Sequence, residues 1–255
     1  MKSQLFAAAF AAATLAASAT STNDVLEAHS SIAMPTVEAG VCYHTAKIEY
    51  GMVENDESVF GYEVEIAWYG LFGGFEACHD MTGVNNRRGR YNEIESFLGY
   101  GFSLGDFSAK AAYVYKSVFD DDESDTQEVE LELEYETPWV TPFIGLVCDT
   151  CAKPGALYGE MGLHRDWELC DRLTLVTCGD IGFGNPYHNG WCFDRDRWAF
   201  REIHLGAELE IKLCPHVKLV PGIDFYDYFT EAQRKAYDKF NGFVAVGSCR
   251  LAVDF

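Results

Sequence analysis

The sequence predicts an all-β fold, an antiparallel up-and-down transmembrane β-barrel of about 12 strands with short turns at one end and longer loops at the other. Three observations predict it: period-two alternation of apolar and polar residues along most of the chain, connections that alternate between tight and long, and an interior too wide for an apolar lining to fill.

The first residues come before the fold. A basic start at Lys2, an apolar run from Leu5 to Ala17 and the small-residue triplet Ala17-Ser18-Ala19 describe a secretory signal peptide. We take residues 1–19 as that signal, 20–36 as a flexible N-terminal segment and 37–255 as the barrel domain. No later stretch is apolar enough for a membrane-crossing helix. The formal net charge of −21 excludes nucleic acid as a partner, because phosphates need Lys and Arg. It also disfavours attachment to an anionic membrane surface.

Alternation is clearest at Glu128, Glu130, Glu132, Glu134 and Glu136, which interleave with Val129, Leu131, Leu133 and Tyr135. In residues 202–213, Ile203, Leu205, Ala207, Leu209, Ile211 and Leu213 fall on one face, opposite Glu202, His204, Glu208, Glu210 and Lys212. Residues 107–116 set Phe107, Tyr113 and Tyr115 against Ser108, Lys110 and Lys116. Extending this reading gives strands at 38–51, 59–69, 72–82, 91–103, 107–119, 126–136, 139–149, 156–169, 172–184, 197–213, 216–229 and 241–255. Tight turns fall at Gly105-Asp106, Thr137-Pro138, Cys170-Asp171 and Cys214-Pro215, with polar loops between them. Pro221 interrupts one strand and predicts a bulge, since proline supplies no ladder donor.

Alternation alone does not say which face is inside. A barrel of roughly a dozen strands lined with apolar side chains would enclose a dry void, which is costly. Polar residues must therefore face inward and the apolar set outward, against lipid. This makes Glu65, Glu128, Glu130, Glu132, Glu134, Glu160, Glu202, Glu208 and Glu210 the acidic lining, with Lys110, Lys116, Lys212 and Arg250 as basic counterparts. A water-filled bore of that kind favours cations; acids and bases paired across it would instead plug it.

The last strand carries a more specific signal. Leu251, Val253 and Phe255 form one face, ending on an aromatic residue. This resembles the C-terminal signature of bacterial outer-membrane β-barrel proteins. The resemblance covers the architecture from about Val37 to Phe255 and names no functional family. It implies a bacterial outer-membrane location, recognition of Leu251, Val253 and Phe255 by the barrel assembly machinery, and contact with outer-membrane lipids and lipopolysaccharide.

Signs of other chemistry are sparse. Nine cysteines leave at least one thiol unpaired within the chain, and Cys148-Asp149-Thr150-Cys151 is a lone C-x-x-C without the second pair that a structural zinc site uses. The loop Asn185 to Arg197 gathers aromatics, both signs of charge and His188, but no serine lies nearby to complete a triad. His79, His164 and His204 read as ordinary strand residues, and there is no G-x-S-x-G elbow. The expectation is a passive pore or structural envelope protein with no cofactor, metal or catalytic role, of undefined oligomeric state. The alternatives are an outer-membrane lipid-modifying enzyme and a secreted or surface β-sandwich binding protein.

Overall fold

The computed structural model describes residues 34–50, 52–83, 89–119, 124–193, 196–229 and 243–255. The signal peptide read at residues 1–19, and most of the segment 20–36, lie outside them.

Alternating apolar and polar residues become strands because successive side chains leave the backbone on opposite sides. Twelve of these strands close a barrel: β1 (Thr36–His44), β4 (Val59–Trp68), β5 (Leu71–Asp80), β6 (Tyr91–Leu104), β7 (Phe107–Val118), β8 (Thr126–Tyr135), β9 (Thr141–Asp149), β10 (Leu157–Cys170), β11 (Leu173–Gly184), β12 (Ala199–Cys214), β13 (Val217–Tyr228) and β14 (Phe243–Asp254). Each pairs antiparallel with its neighbours, and β1 closes the circle by pairing with both β4 and β14. The seam is tied by backbone hydrogen bonds in both directions between Val37 and Phe255, at 2.9 and 3.3 Å. Closure removes every sheet edge, which a bilayer requires.

All tight turns fall at one end. They include Tyr69-Gly70, where both residues take positive φ (51° and 82°), the backbone of a type I′ hairpin. The termini lie at this same short-turn end, and the longer connections lie at the other.

The outer surface is apolar. Leu98, Val129, Leu131, Met161, Leu163, Ile203, Leu205 and Ile223 are exposed along the middle of the strands. Exposed aromatics gather at two levels: Trp68, Tyr69, Phe102, Tyr135, Trp139 and Trp167 towards the short-turn end, and Tyr43, Tyr91, Phe119, Trp198, Phe200, Phe229 and Phe243 towards the long-loop end. An apolar band between two aromatic girdles is the outer face of a barrel that stands in lipid.

Two sequence readings need correction. The first strand does not run to residue 51. It stops at His44, and the chain turns to form a separate hairpin, β2 (Lys47–Glu49) paired with β3 (Met52–Asn55). Pro221 produces no bulge: the β12–β13 ladder passes from Glu208↔Gly222 to Ile211↔Leu219 with its register unchanged, while Pro221 keeps its position opposite Cys249 of β14. The missing donor is absorbed by a gap in one ladder rather than by an inserted residue.

Candidate functional site: a hairpin across an acidic bore

The hairpin β2–β3 lies inside the barrel. Ile48 and Glu49 are 0% exposed, and the element touches walls on opposite sides. Towards β13 and β14, Ala46 and Ile48 form an apolar cluster with Tyr226, Tyr228, Val244 and Val246, joined by Val53. Towards β6, β7 and β8 the contacts are charged. Lys47 bonds Glu93 and reaches Glu54 (2.5 Å) and Glu49 (3.3 Å), Lys116 bonds Glu49 and stands 3.4 Å from Glu128, and Tyr50 donates to Glu128 at 2.5 Å. At its tip, Tyr50 takes φ +48° and packs on Tyr158 of β10. The hairpin therefore crosses the bore from wall to wall.

Buried charges hold only when paired, and Lys47 of the hairpin and Lys116 of β7 meet that condition. The carboxylates around Lys47 raise its pKa well above the ordinary lysine value, against the opposing effect of burial, so it stays charged. Glu54 is pushed up to about 8, first by enclosure and then by Glu49, with Lys47 pulling the other way. Its side chain keeps 30% exposure, so water in the bore moderates that shift. Glu49, Glu93 and Glu95 bring one oxygen each within 4.8 Å of one another, a spacing that suits a cation. The Lys47 and Lys116 ammonium groups already occupy that role.

A second element narrows the long-loop end. The segment from Asn185 is not an irregular surface loop: Pro186–Phe193 form a helix, α1. Asn185 starts it, its Oδ1 accepting from the His188 backbone N–H at 2.9 Å. A bulge in the wall holds the helix down. Between Ile181↔Ile203 and Phe183↔Phe200 the β11–β12 register shifts, so that Arg201 and Glu202 both oppose Gly182 and both turn inward. Gly182 is needed there, because a side chain at this position would strike the Glu202 carboxylate. Arg201 donates to His188 Nδ1 at 2.6 Å and stacks on Phe193, and Tyr158 donates to Glu202 at 2.7 Å. Burial, and then the Arg201 cation, push the His188 pKa well below 6.5, so the ring is neutral. Its closest polar side chains are Arg201 and the Cys192 thiol (3.7 Å), and Arg201 already occupies Nδ1. This is an anchor for a helix and not the base of a hydrolytic triad.

The wall residues read from the sequence fall as follows. Glu128, Glu130, Glu134, Glu160, Glu202, Glu210, Lys116 and Arg250 are buried in the interior; Glu65, Glu132, Glu208 and Lys110 are half-buried. Lys212 is exposed near the short-turn rim, opposite Lys218. Arg250 pairs with Glu63 (2.9 Å) and Glu38 (3.3 Å), and His164 with Glu134 (3.2 Å). Leu251 and Phe255 are exposed and Val253 is half-buried. Among the described residues, twelve buried carboxylates face four buried Lys or Arg, so pairing leaves the bore acidic. Beside Tyr50 and Tyr158 a small pocket remains against the wall, bordered by Lys110, Glu130, Glu132 and Glu160. All nine cysteines are free thiols, Cys148 and Cys151 included.

No family model and no curated protein matches the sequence. Solved structures do match. A KdgM porin superposes with a TM-score of 0.51 at 8% identity, covering 86% of this chain and 98% of that one. The KdgM porin in complex with disordered oligogalacturonate gives 0.50 at 8% identity, with the same coverage. The NanC porin gives 0.49 at 10% identity over 86% and 98%. The fold is therefore that of the outer-membrane β-barrels, with porin-like architecture and no specific family assigned.

Proposed function

We propose that this chain is a passive, cation-preferring pore of a bacterial outer membrane, with a bore restricted by its own β2–β3 hairpin and with no catalytic role. The observation that carries this reading is the excess of buried carboxylates over buried Lys and Arg on the inner face. An acidic lining attracts cations and repels anions. The solved KdgM complex holds oligogalacturonate, a polyanion. An acidic bore opposes such a ligand, so the shared architecture does not bring it to this chain. The lipid-modifying alternative loses its best base, since His188 is a buried residue of α1 and is bonded to Arg201.

The girdled outer face suits outer-membrane lipid and lipopolysaccharide, and the exposed Leu251 and Phe255 suit recognition of the last strand by the barrel assembly machinery. The test is the reversal potential across a salt gradient in a planar bilayer. The reading expects a potential of the sign set by K⁺ movement. A potential set by Cl⁻ would overturn it.

A further inference from the structure

The outer wall carries a charge where alternation calls for an apolar group. Along β10, Met161, Leu163, Trp167 and Leu169 face outward and are exposed. Arg165 stands among them, half-buried, at the level of the short-turn girdle. Its sequence neighbours His164 and Asp166 alternate to the bore side. A cation on the lipid face is costly at the bilayer centre and tolerated near the bilayer surface, where a long side chain can reach the headgroups.

The guanidinium is held in place from two sides. Nη1 donates to the backbone carbonyls of Pro138 (3.0 Å) and Trp139, in the turn between β8 and β9. The group lies over the Trp167 ring, 4.5 Å from its centroid. That ring is fixed in turn, because its indole N–H donates to Thr177 Oγ1 at 3.1 Å, and the Thr177 hydroxyl donates to the Arg165 carbonyl at 3.3 Å. Among the described residues no carboxylate pairs with Arg165 and no acceptor meets Nη2, while Nε is enclosed without a partner. The two carbonyls orient the cation, and its charge stays uncompensated.

We propose that Arg165, flanked by Trp167 and Trp139, binds the phosphate diester of an anionic phospholipid in the leaflet at the short-turn end. Nη2 supplies charge-assisted N–H···O bonds to phosphate oxygens, the contact for which a planar guanidinium is suited. The exposed Trp139 and Trp167 rings lie at headgroup level and cover the lipid where its chains begin. A zwitterionic headgroup brings its own ammonium against the arginine and gains less. Free phosphate offers the same oxygens but no chains for the indoles to cover. The inference rests on the reading that the girdled face stands in lipid, and it does not depend on whether the barrel conducts.

The experiment exposes the whole mature chain, folded in nonionic detergent, to an equimolar mixture of phosphatidylglycerol and phosphatidylcholine, and reads retained lipid by native mass spectrometry. The expected result is retention of phosphatidylglycerol over phosphatidylcholine by about 5-fold or more. Arg165→Gln, which can still donate to the turn carbonyls, removes the preference. Arg165→Lys, a point charge without the fork, keeps part of it. Arg172→Gln, at the exposed β10–β11 turn, leaves it unchanged. Inorganic phosphate does not displace the lipid. A mobility shift on boiling confirms that each variant is folded. A photoreactive phosphatidylglycerol, crosslinked to the unmodified chain and mapped by mass spectrometry, needs no variant and should mark the segments holding Trp139 and Trp167. Equal retention of the two lipids by the folded chain, a preference that survives Arg165→Gln, displacement by inorganic phosphate, or crosslinks confined to other strands overturns the headgroup site while leaving the membrane reading intact. A strand-rich chain that is monodisperse without detergent overturns both.

Discussion

Replacing Lys116 by Met should release the hairpin from the bore. Lys116 bonds the Glu49 carboxylate, which is fully buried, and stands 3.4 Å from Glu128. Removing one partner of a buried pair leaves a charge without compensation and costs about 3–5 kcal/mol. The apolar side of the hairpin offers less: burying Ile48 contributes roughly 1.5–3 kcal/mol. Lys47 remains 3.3 Å from Glu49, but it already serves Glu54 and Glu93. The undocked population should therefore rise by about 10²–10⁴-fold. The assay is limited trypsin digestion of the folded barrel in lipid vesicles, read for cleavage after Lys47, which the docked hairpin shields. Lys116→Met is expected to speed cleavage at neutral pH. Adding Glu49→Gln, which removes the orphaned charge, is expected to restore protection. Equal cleavage rates in wild type and Lys116→Met, with both chains folded, would refute the claim that these ion pairs dock the hairpin.

Three further outcomes follow from the same structure. His188 is held neutral, with its pKa below 6.5, so its contribution to helix docking is complete above that pH and is lost as pH falls below it; Trp191, which stands edge-on to His188, should change fluorescence on acidification in wild type and not in His188→Gln. Leu98 is 66% exposed on the outer face, so Leu98→Arg should cost about 2–4 kcal/mol in lipid refolding if it sits at mid-bilayer, read from denaturant titrations in vesicles. Phe255→Ala keeps the backbone bonds to Val37, so refolding in detergent should be unchanged while insertion by the cellular machinery falls, measured as outer-membrane yield.

Most of the barrel was legible because a strand with two different environments writes them at period two. Glu128 to Tyr135 is the plainest case, each glutamate inward and each apolar residue outward. The hairpin is marked locally by a change of parity: Val37, Ala39, Val41 and Tyr43 put the apolar face of β1 at odd positions, whereas Lys47 and Glu49 are charged and Ile48 is apolar, so one strand drawn to residue 51 would turn two charges towards lipid. A second signal lies in the last strand. Phe243-Val244-Ala245-Val246 is apolar on both faces, and an apolar inward face at Val244 and Val246 requires something inside to cover it; the hairpin's Ile48 does so. Arg201 was missed for a related reason. The β12 bulge moves it across the sheet, and strict alternation assigns it the other face.

The central claim is that a conducting barrel carries its own hairpin across an acidic bore. Single-channel recording in planar bilayers, comparing the wild-type chain with one in which residues 47–55 are replaced by a short Gly-Ser linker, tests it most directly. The account predicts discrete channels in both, larger unitary conductance without the hairpin, and K⁺ preference over Cl⁻ in each. Equal conductance in the two chains, or no channels in either, would contradict it.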